Sequence, residues 1–159
     1  MYHIRVRPTA LIIRDEHVLL VEYRDEAGVH YNLPGGGAEP GETLEEGVAR
    51  EVWEETQAKV QVGPVAFVYE YAPHKQSGEY DAAIHSLNII FECTLKEKSD
   101  PRLPDKPDAI QTGVRWVHIS ELDEIILYPK IQNYIKDYIK NRKTIELISD
   151  YMLDTYPKK

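Results

Sequence analysis

Leu33-Pro34-Gly35-Gly36-Gly37-Ala38-Glu39-Pro40-Gly41-Glu42 puts four glycines and two prolines into ten residues, directly ahead of a strongly acidic segment. Glycine allows the backbone to approach a ligand closely and proline fixes turns, so this loop is built to present its own amides and carbonyls. Thr43 followed by Glu46 has the spacing of a capping box, which predicts that a helix starts there and runs over 44–56. On such a helix Glu55 lies about 40° to one side of Glu51 and Glu54 about 60° to the other, so all three carboxylates leave one face. Arg50 lies about 40° beyond Glu54, where its guanidinium fork reaches either a glutamate or a phosphate oxygen. Two like charges about 4 Å apart repel by on the order of 4 kcal/mol at an effective dielectric near 20, so these carboxylates call for solvation or a bound cation. Glu45 and Glu46 read as a solvated helix face. The glycine loop is what sets Glu51, Glu54 and Glu55 apart from them.

Gly36, Glu42, Arg50, Glu51, Val52, Glu54 and Glu55 stand in the register of the signature of the Nudix hydrolases, and residues 36–58 resemble that family's box. Leu33-Pro34-Gly35-Gly36 and Glu39-x-Gly41-Glu42 are similar to the family's usual entry into it. The family's glycine after Glu-Glu-x is Gln57 here, and Ala58 is only weakly apolar, which leaves the exit from the helix open. The resemblance implies Glu51, Glu54 and Glu55 as ligands of magnesium or manganese, with the Gly35 carbonyl as a further contact. It implies Arg50 as the residue that orients a glutamate and Glu42 as a support. Glu54, Glu55, Arg50 and Glu51 are then the catalytic set, and the reaction is hydrolysis of a pyrophosphate link by a water that the metal activates and aligns. The general base is a box glutamate or a carboxylate from a later loop, with Asp105 and Asp108 as candidates beside their reading as solvated loop acids.

At 159 residues the chain fits one domain over 1–159. No run approaches the roughly 18 apolar residues of a membrane span, and the first residues lack a signal-peptide core, so the expected location is cytoplasmic. Cys93 is the single cysteine and reads as a buried strand residue in a reducing compartment. A net charge of −8 argues against nucleic acid and anionic membrane as partners and leaves a small phosphorylated nucleotide-type substrate as the expected one.

Thr9 to Arg14 and His17 to Tyr23, separated by Asp15-Glu16, read as a hairpin. Residues 59–71 read as one or two strands around Gly63-Pro64, with further strands over 84–95 and 114–119. Polar loops span 72–81 and 97–107. Ile131, Tyr134, Ile135, Tyr138 and Ile139 are spaced for a helix over 129–142, and a second C-terminal helix is expected over 144–154. The order of elements predicts an α/β class fold, an α/β/α sandwich with a mixed β-sheet between helices.

Arg24, Tyr71 and His85 are the candidate substrate-binding residues, with Tyr69, His74 and Tyr80 as further aromatic candidates. Arg5 and Arg7 are further cations that meet phosphate or guard a sheet edge. Pro73 stands where ADP-ribose hydrolases of the family tend to carry a proline. The expected activity is hydrolysis of a pyrophosphate bond in a nucleoside diphosphate linked to another moiety, or in a nucleoside triphosphate. The alternative is a catalytically silent nucleotide-binding sensor, and removal of a 5′ pyrophosphate from RNA is disfavoured by the acidic balance. The helix after Pro129 serves either its own sheet or a second subunit, which keeps a homodimer open.

Overall fold

The computed structural model describes residues 2–79, 81–147, 149–154 and 156, so the Tyr80 candidate lies outside the described residues. The first two strands are β1 (Arg5–Arg14) and β2 (His17–Asp25), joined by Asp15 and Glu16 at φ 49° and 61°. Two consecutive left-handed residues make a tight hairpin turn whose twist suits the strands. Only Ile13↔Val18 and Arg14↔His17 pair before the strands part. Beyond that point β2 pairs with β3 (Gly28–Asn32) and β6 (Gln111–His118), both antiparallel. β1 pairs in parallel with β5 (Ser86–Leu95), which carries the antiparallel strand β4 (Val60–Tyr71) at the sheet edge. The strand order is β3-β2-β1-β5-β4, with β6 on β2.

Divergence of β1 from β2 opens a gap that the glycine loop fills. Ala10 donates to the Pro34 carbonyl at 2.8 Å, Ala38 to Val6 at 2.9 Å and Gly36 to Pro8 at 3.3 Å, and Thr9 bridges Gly35. The loop thus takes a strand position beside β1. A methyl group on Gly35 would lie 2.8 Å from both the Pro8 carbonyl oxygen and the Thr9 Cα, so no larger residue fits there.

Alternation along the strands sends side chains to two cores. Ala10, Ile12, Leu19, Phe91 and Cys93 meet Val48 and Val52 of α1 (Leu44–Thr56). Leu11, Val18, Leu20 and Ile90 meet Ile131 and the α2 (Gln132–Asn141) residues Ile135 and Tyr138 on the opposite face. Helices therefore cover both faces of a mixed sheet, as expected from the element order. The inner face of α2 is committed to its own sheet, and Tyr134 on its outer side is 66% exposed.

α1 starts where the sequence placed it. Thr43 accepts from the Glu46 amide while the Glu46 side chain accepts from the Thr43 amide, a complete capping box. Gln57 ends the helix in the left-handed conformation, φ 55°, with its amide donating to Trp53 O, so it adopts the backbone that a glycine would adopt more easily. Gln57→Gly is expected to stabilise the fold by about 0.5 kcal/mol, after loss of unfolded-chain restriction and of the exposed side-chain bond to Trp53, and a higher urea midpoint at unchanged slope would report it.

The C-terminal expectation needs correction. α2 begins at Gln132 instead of Pro129, and no α-helix forms among the described residues of 144–154. Instead Ile145 donates its amide to Val65 at 2.9 Å, an isolated bridge on the edge strand β4, and Asp150–Met152 form a single 3-10 turn. An edge strand offers unpaired backbone groups, and pairing with one of them outweighs the weak local helix preference of this segment. Among the described residues no helix is long and apolar enough to cross a membrane.

Candidate active site

The capping box fixes the start of α1 and hence the rotation of its acidic face toward the glycine loop. Arg50 grips Glu42 with two donors, Nε to Oε2 at 2.9 Å and Nη2 to Oε1 at 2.8 Å. Its Nη1 donates to Glu51 at 2.8 Å and Glu54 at 3.3 Å, and its Nη2 also reaches the Gly37 carbonyl at 3.1 Å. The guanidinium is the positive charge inside the acidic cluster. Its bond to Glu42, with the Glu39 amide on the same carboxylate, holds Glu42 down to about 2. Arg50 thus bonds Glu42 and Glu51 together.

Glu51 lies against Gly36 so closely that a methyl group there would fall within the carboxylate. Burial raises the Glu51 pKa against the pull of Arg50. Gly36→Ala must therefore displace Glu51, and we expect it to lower kcat/KM of the hydrolysis proposed below by about a hundredfold while thermal unfolding stays cooperative. A side-by-side assay and melting curve of the two proteins checks this.

Glu55 turns inward. It accepts from the Gly35 amide at 3.1 Å and the Tyr23 hydroxyl at 3.4 Å. Burial lifts its pKa to about 8, and the charges of Glu51 and Asp108 add to this against the Gly35 amide and Arg7. Tyr23 is pushed upward as well, by burial and by Glu55. A carboxyl so reluctant to ionise is one that a cation would stabilise in its charged form.

The loop before β6 brings two more acids to the same place. Arg102 donates to the last helical turn at Thr56 O, 2.8 Å, and the Gln111 side chain donates to Glu55 O at 2.8 Å. These bonds close a cleft of about 540 Å3 lined by Glu51, Glu54, Glu55, Asp105, Lys106 and Asp108 among others. Asp105 and Asp108 therefore reach the cleft of the box glutamates.

The donors fit a hard divalent ion in kind: carboxylates at i, i+3 and i+4, one of them half-buried and costly to ionise, beside a glycine backbone free of side chains. Among the described residues they do not converge into a closed set of three ligands, because Arg50 draws Glu51 and Glu54 to itself.

On the α2 face of the sheet lies a second cavity, of about 550 Å3. Tyr71 lines it, as do Arg5, Arg7 and Tyr69. Arg24 and His85 are not among the residues that line it. Arg24 lies in β2 beside Ile110, to which its amide donates. His85 is 8% exposed and clamped between the Tyr2 hydroxyl at 2.7 Å and Glu70 at 2.8 Å, which is a structural arrangement. His74 lies near it, ring to ring at 6.5 Å, also outside the cavity. Sequence reasoning did not single out Asp25, His30, Asn32, Asn88 and Tyr128, which also line it. The signal was present in the strand period: the α2 face carries Leu11 and Ile90 and then turns polar at Thr9, Arg7 and Arg5 on β1 and at Asn88 and Ser86 on β5. Tyr23 links the two clefts, bonded to Glu55 and stacked on His30 at 5.5 Å.

The NUDIX domain model matches residues 4–140. A MutT-like protein of Streptomyces ambofaciens is 43% identical over 119 residues, 75% of this chain and 67% of that protein. The NAD-capped RNA hydrolase NudC of Photorhabdus laumondii is 41% identical over 61 residues, but the chain spans only 24% of its length. Among solved structures, a NUDIX hydrolase from Nitrosomonas europaea superposes with a TM-score of 0.72 at 24% identity, covering 97% of this chain and 98% of the other.

Proposed function

The chain belongs to the NUDIX family, and from that premise we propose that it hydrolyses a pyrophosphate bond in a nucleoside diphosphate linked to another moiety, or in a nucleoside triphosphate, with a divalent metal. The observation that carries this reading is the half-buried Glu55 carboxyl against the Gly35 amide, on the same helix face as Glu51 and Glu54. Glu51, Glu54, Glu55 and the Gly35 carbonyl are the proposed holders of magnesium or manganese. When bound, such an ion neutralises diphosphate oxygens and lowers the pKa of a water.

The chain's own groups do the rest. Arg50 fixes Glu42 and steadies Glu51, so the acidic face keeps its orientation as charge arrives. Tyr23 and the Gly35 amide hold the Glu55 oxygens by hydrogen bonds that survive ionisation. Asp105 or Asp108 takes the proton of the attacking water from the far wall of the cleft, a step worth about 10²- to 10⁴-fold.

A binding domain without turnover is the second reading. Retention of Glu51, Glu54, Glu55 and Arg50 favours the enzyme, since a pure binder has no need of them. A panel of nucleoside diphosphate derivatives and triphosphates, assayed with magnesium and with manganese and with both products identified, tests the proposal. Metal-dependent cleavage at the phosphoanhydride supports it. Tight binding of the same compounds with no product would replace it by the sensor reading.

A further inference from the structure

α2 starts without a cap. Its N-cap residue is Ile131, whose side chain has no polar atom to offer, and no acidic residue stands in the first turn. The Ile131 amide donates to Pro129 at 2.8 Å and the Ile135 amide to Ile131 at 3.0 Å. Between them the amides of Gln132, Asn133 and Tyr134 have no acceptor among the described residues. These N–H groups and the aligned peptide dipoles make this the positive end of the helix. α1 differs, since Thr43 and Glu46 cap it and Glu45 stands in its first turn. Water serves the amides of an exposed helix start, so by themselves they mark no site.

Gln132 supplies an independent sign. It is the first helical residue, it is 7% exposed, and its carboxamide has no hydrogen-bond partner among the described residues. Buried carboxamides are nearly always bonded, and leaving one unmet costs about 1–3 kcal/mol. Gln132 lines a cavity of about 380 Å3, at the lower end of small-ligand sites, and the little surface it keeps faces that space. The lining is apolar at Ile125 and Leu127 and carries Lys130 and Asn133. Glu79 and Asp123 also line it, each beside a lysine: Lys130 lies 3.8 Å from Glu79, and Lys136 bonds Asp123. Their side chains are 52% and 63% exposed, so water screens them as well. The surroundings therefore accept one negative charge at the helix start and disfavour two.

We propose that the N-terminus of α2 is a binding site for a small monocarboxylate, whose oxygens accept from the Asn133 and Tyr134 amides and the Gln132 carboxamide while a short apolar body rests on Ile125 and Leu127. A carboxylate brings a single charge and two oxygens to a row of N–H donors. A phosphate dianion brings a second charge toward Glu79 and Asp123. Tyr128 lines both this cavity and the larger one on the sheet, whereas Gln132 lines this one alone. The site goes beyond the hydrolase reading and does not depend on it, since it uses neither a metal nor any box glutamate.

3-Methylbutanoate serves as the probe, titrated in EDTA into the isotope-labelled full chain and followed by NMR. The Gln132 side-chain resonances and the Asn133 and Tyr134 amide resonances should move together along one saturable curve, with a midpoint on the order of a millimolar. 3-Methylbutanamide, of the same shape without the charge, should bind about tenfold more weakly, and inorganic phosphate should also bind more weakly than the carboxylate. Gln132→Met keeps the side-chain length and removes the carboxamide, while Asn133→Asp places a negative charge in the exposed first turn. Each should weaken 3-methylbutanoate binding about tenfold. Asn133→Asp should at the same time raise the melting temperature, because an acid there complements the helix dipole. Lost binding in a firmer fold is no folding defect, and this variant keeps the test decisive if Gln132→Met does not fold. Absence of a saturable shift at these resonances, equal binding of the amide, tighter binding of phosphate, or undiminished binding by Asn133→Asp each overturns the site. Saturable carboxylate binding that Asn133→Asp weakens upholds it, whether or not the chain hydrolyses any nucleotide.

Discussion

Glu54→Gln and Glu55→Gln are each expected to lower kcat/KM by about a thousandfold, with the circular dichroism spectrum unchanged. The two variants reach this loss by different routes. Glu54 is exposed, and among the described residues its one hydrogen bond is the 3.3 Å bond from Arg50, so its replacement leaves packing untouched and takes away a charged oxygen donor alone. Glu55 is inward, and the carboxamide of glutamine still accepts from the Gly35 amide and Tyr23 hydroxyl while carrying no charge. Saturation with manganese should restore neither variant fully. Wild-type rates in both would remove the acidic face from the mechanism.

The second large effect is a dependence of stability on pH. The Glu55 pKa is about 8 in the folded chain against 4.5 for a free side chain. A folded pKa raised above the unfolded one means that the native state keeps a proton which the unfolded chain has released. The stabilisation is therefore complete below pH 4.5 and is lost as pH rises through about 8. Partial solvent access reduces the full linkage, so we expect the free energy of unfolding in EDTA to fall by about 3 kcal/mol across that window on account of Glu55. Glu55→Gln should flatten this slope, and millimolar magnesium should offset it at the alkaline end, since the ion favours the charged carboxylate. Urea titrations at a series of pH values measure both. A wild-type slope identical to that of Glu55→Gln would show that Glu55 ionises freely.

The helix and its acidic face were legible in the sequence because their determinants are local. Thr43 and Glu46 lie three residues apart, and Glu51, Glu54 and Glu55 share a face by helical period alone. The hairpin was legible for the same reason. The interior position of β1, which carries Arg5 and Arg7, was not, because whether a strand is central or at an edge depends on its parallel pairing with β5, some eighty residues later in the chain (Arg5↔Ser86). The surroundings of His85 were not legible either, because Tyr2 and Glu70, far from it in sequence, meet its two ring nitrogens. The second C-terminal helix failed because Ile145 found a backbone partner at Val65, and no local pattern announces such a bridge. Gln57 shows the reverse: a residue that departs from the expected glycine still adopts the left-handed exit, since the 2.9 Å bond from its amide to Trp53 O secures it.

Arg50 stays wedged among Glu42, Glu51 and Glu54 as a tenant of the chain's own making. We expect the polypeptide to reach its folded shape in a medium stripped of magnesium, unlike small zinc modules that stay unfolded until metal arrives. On the proposed hydrolase reading, a chelator should stop turnover and added magnesium should restore it, with cooperative melting in both states.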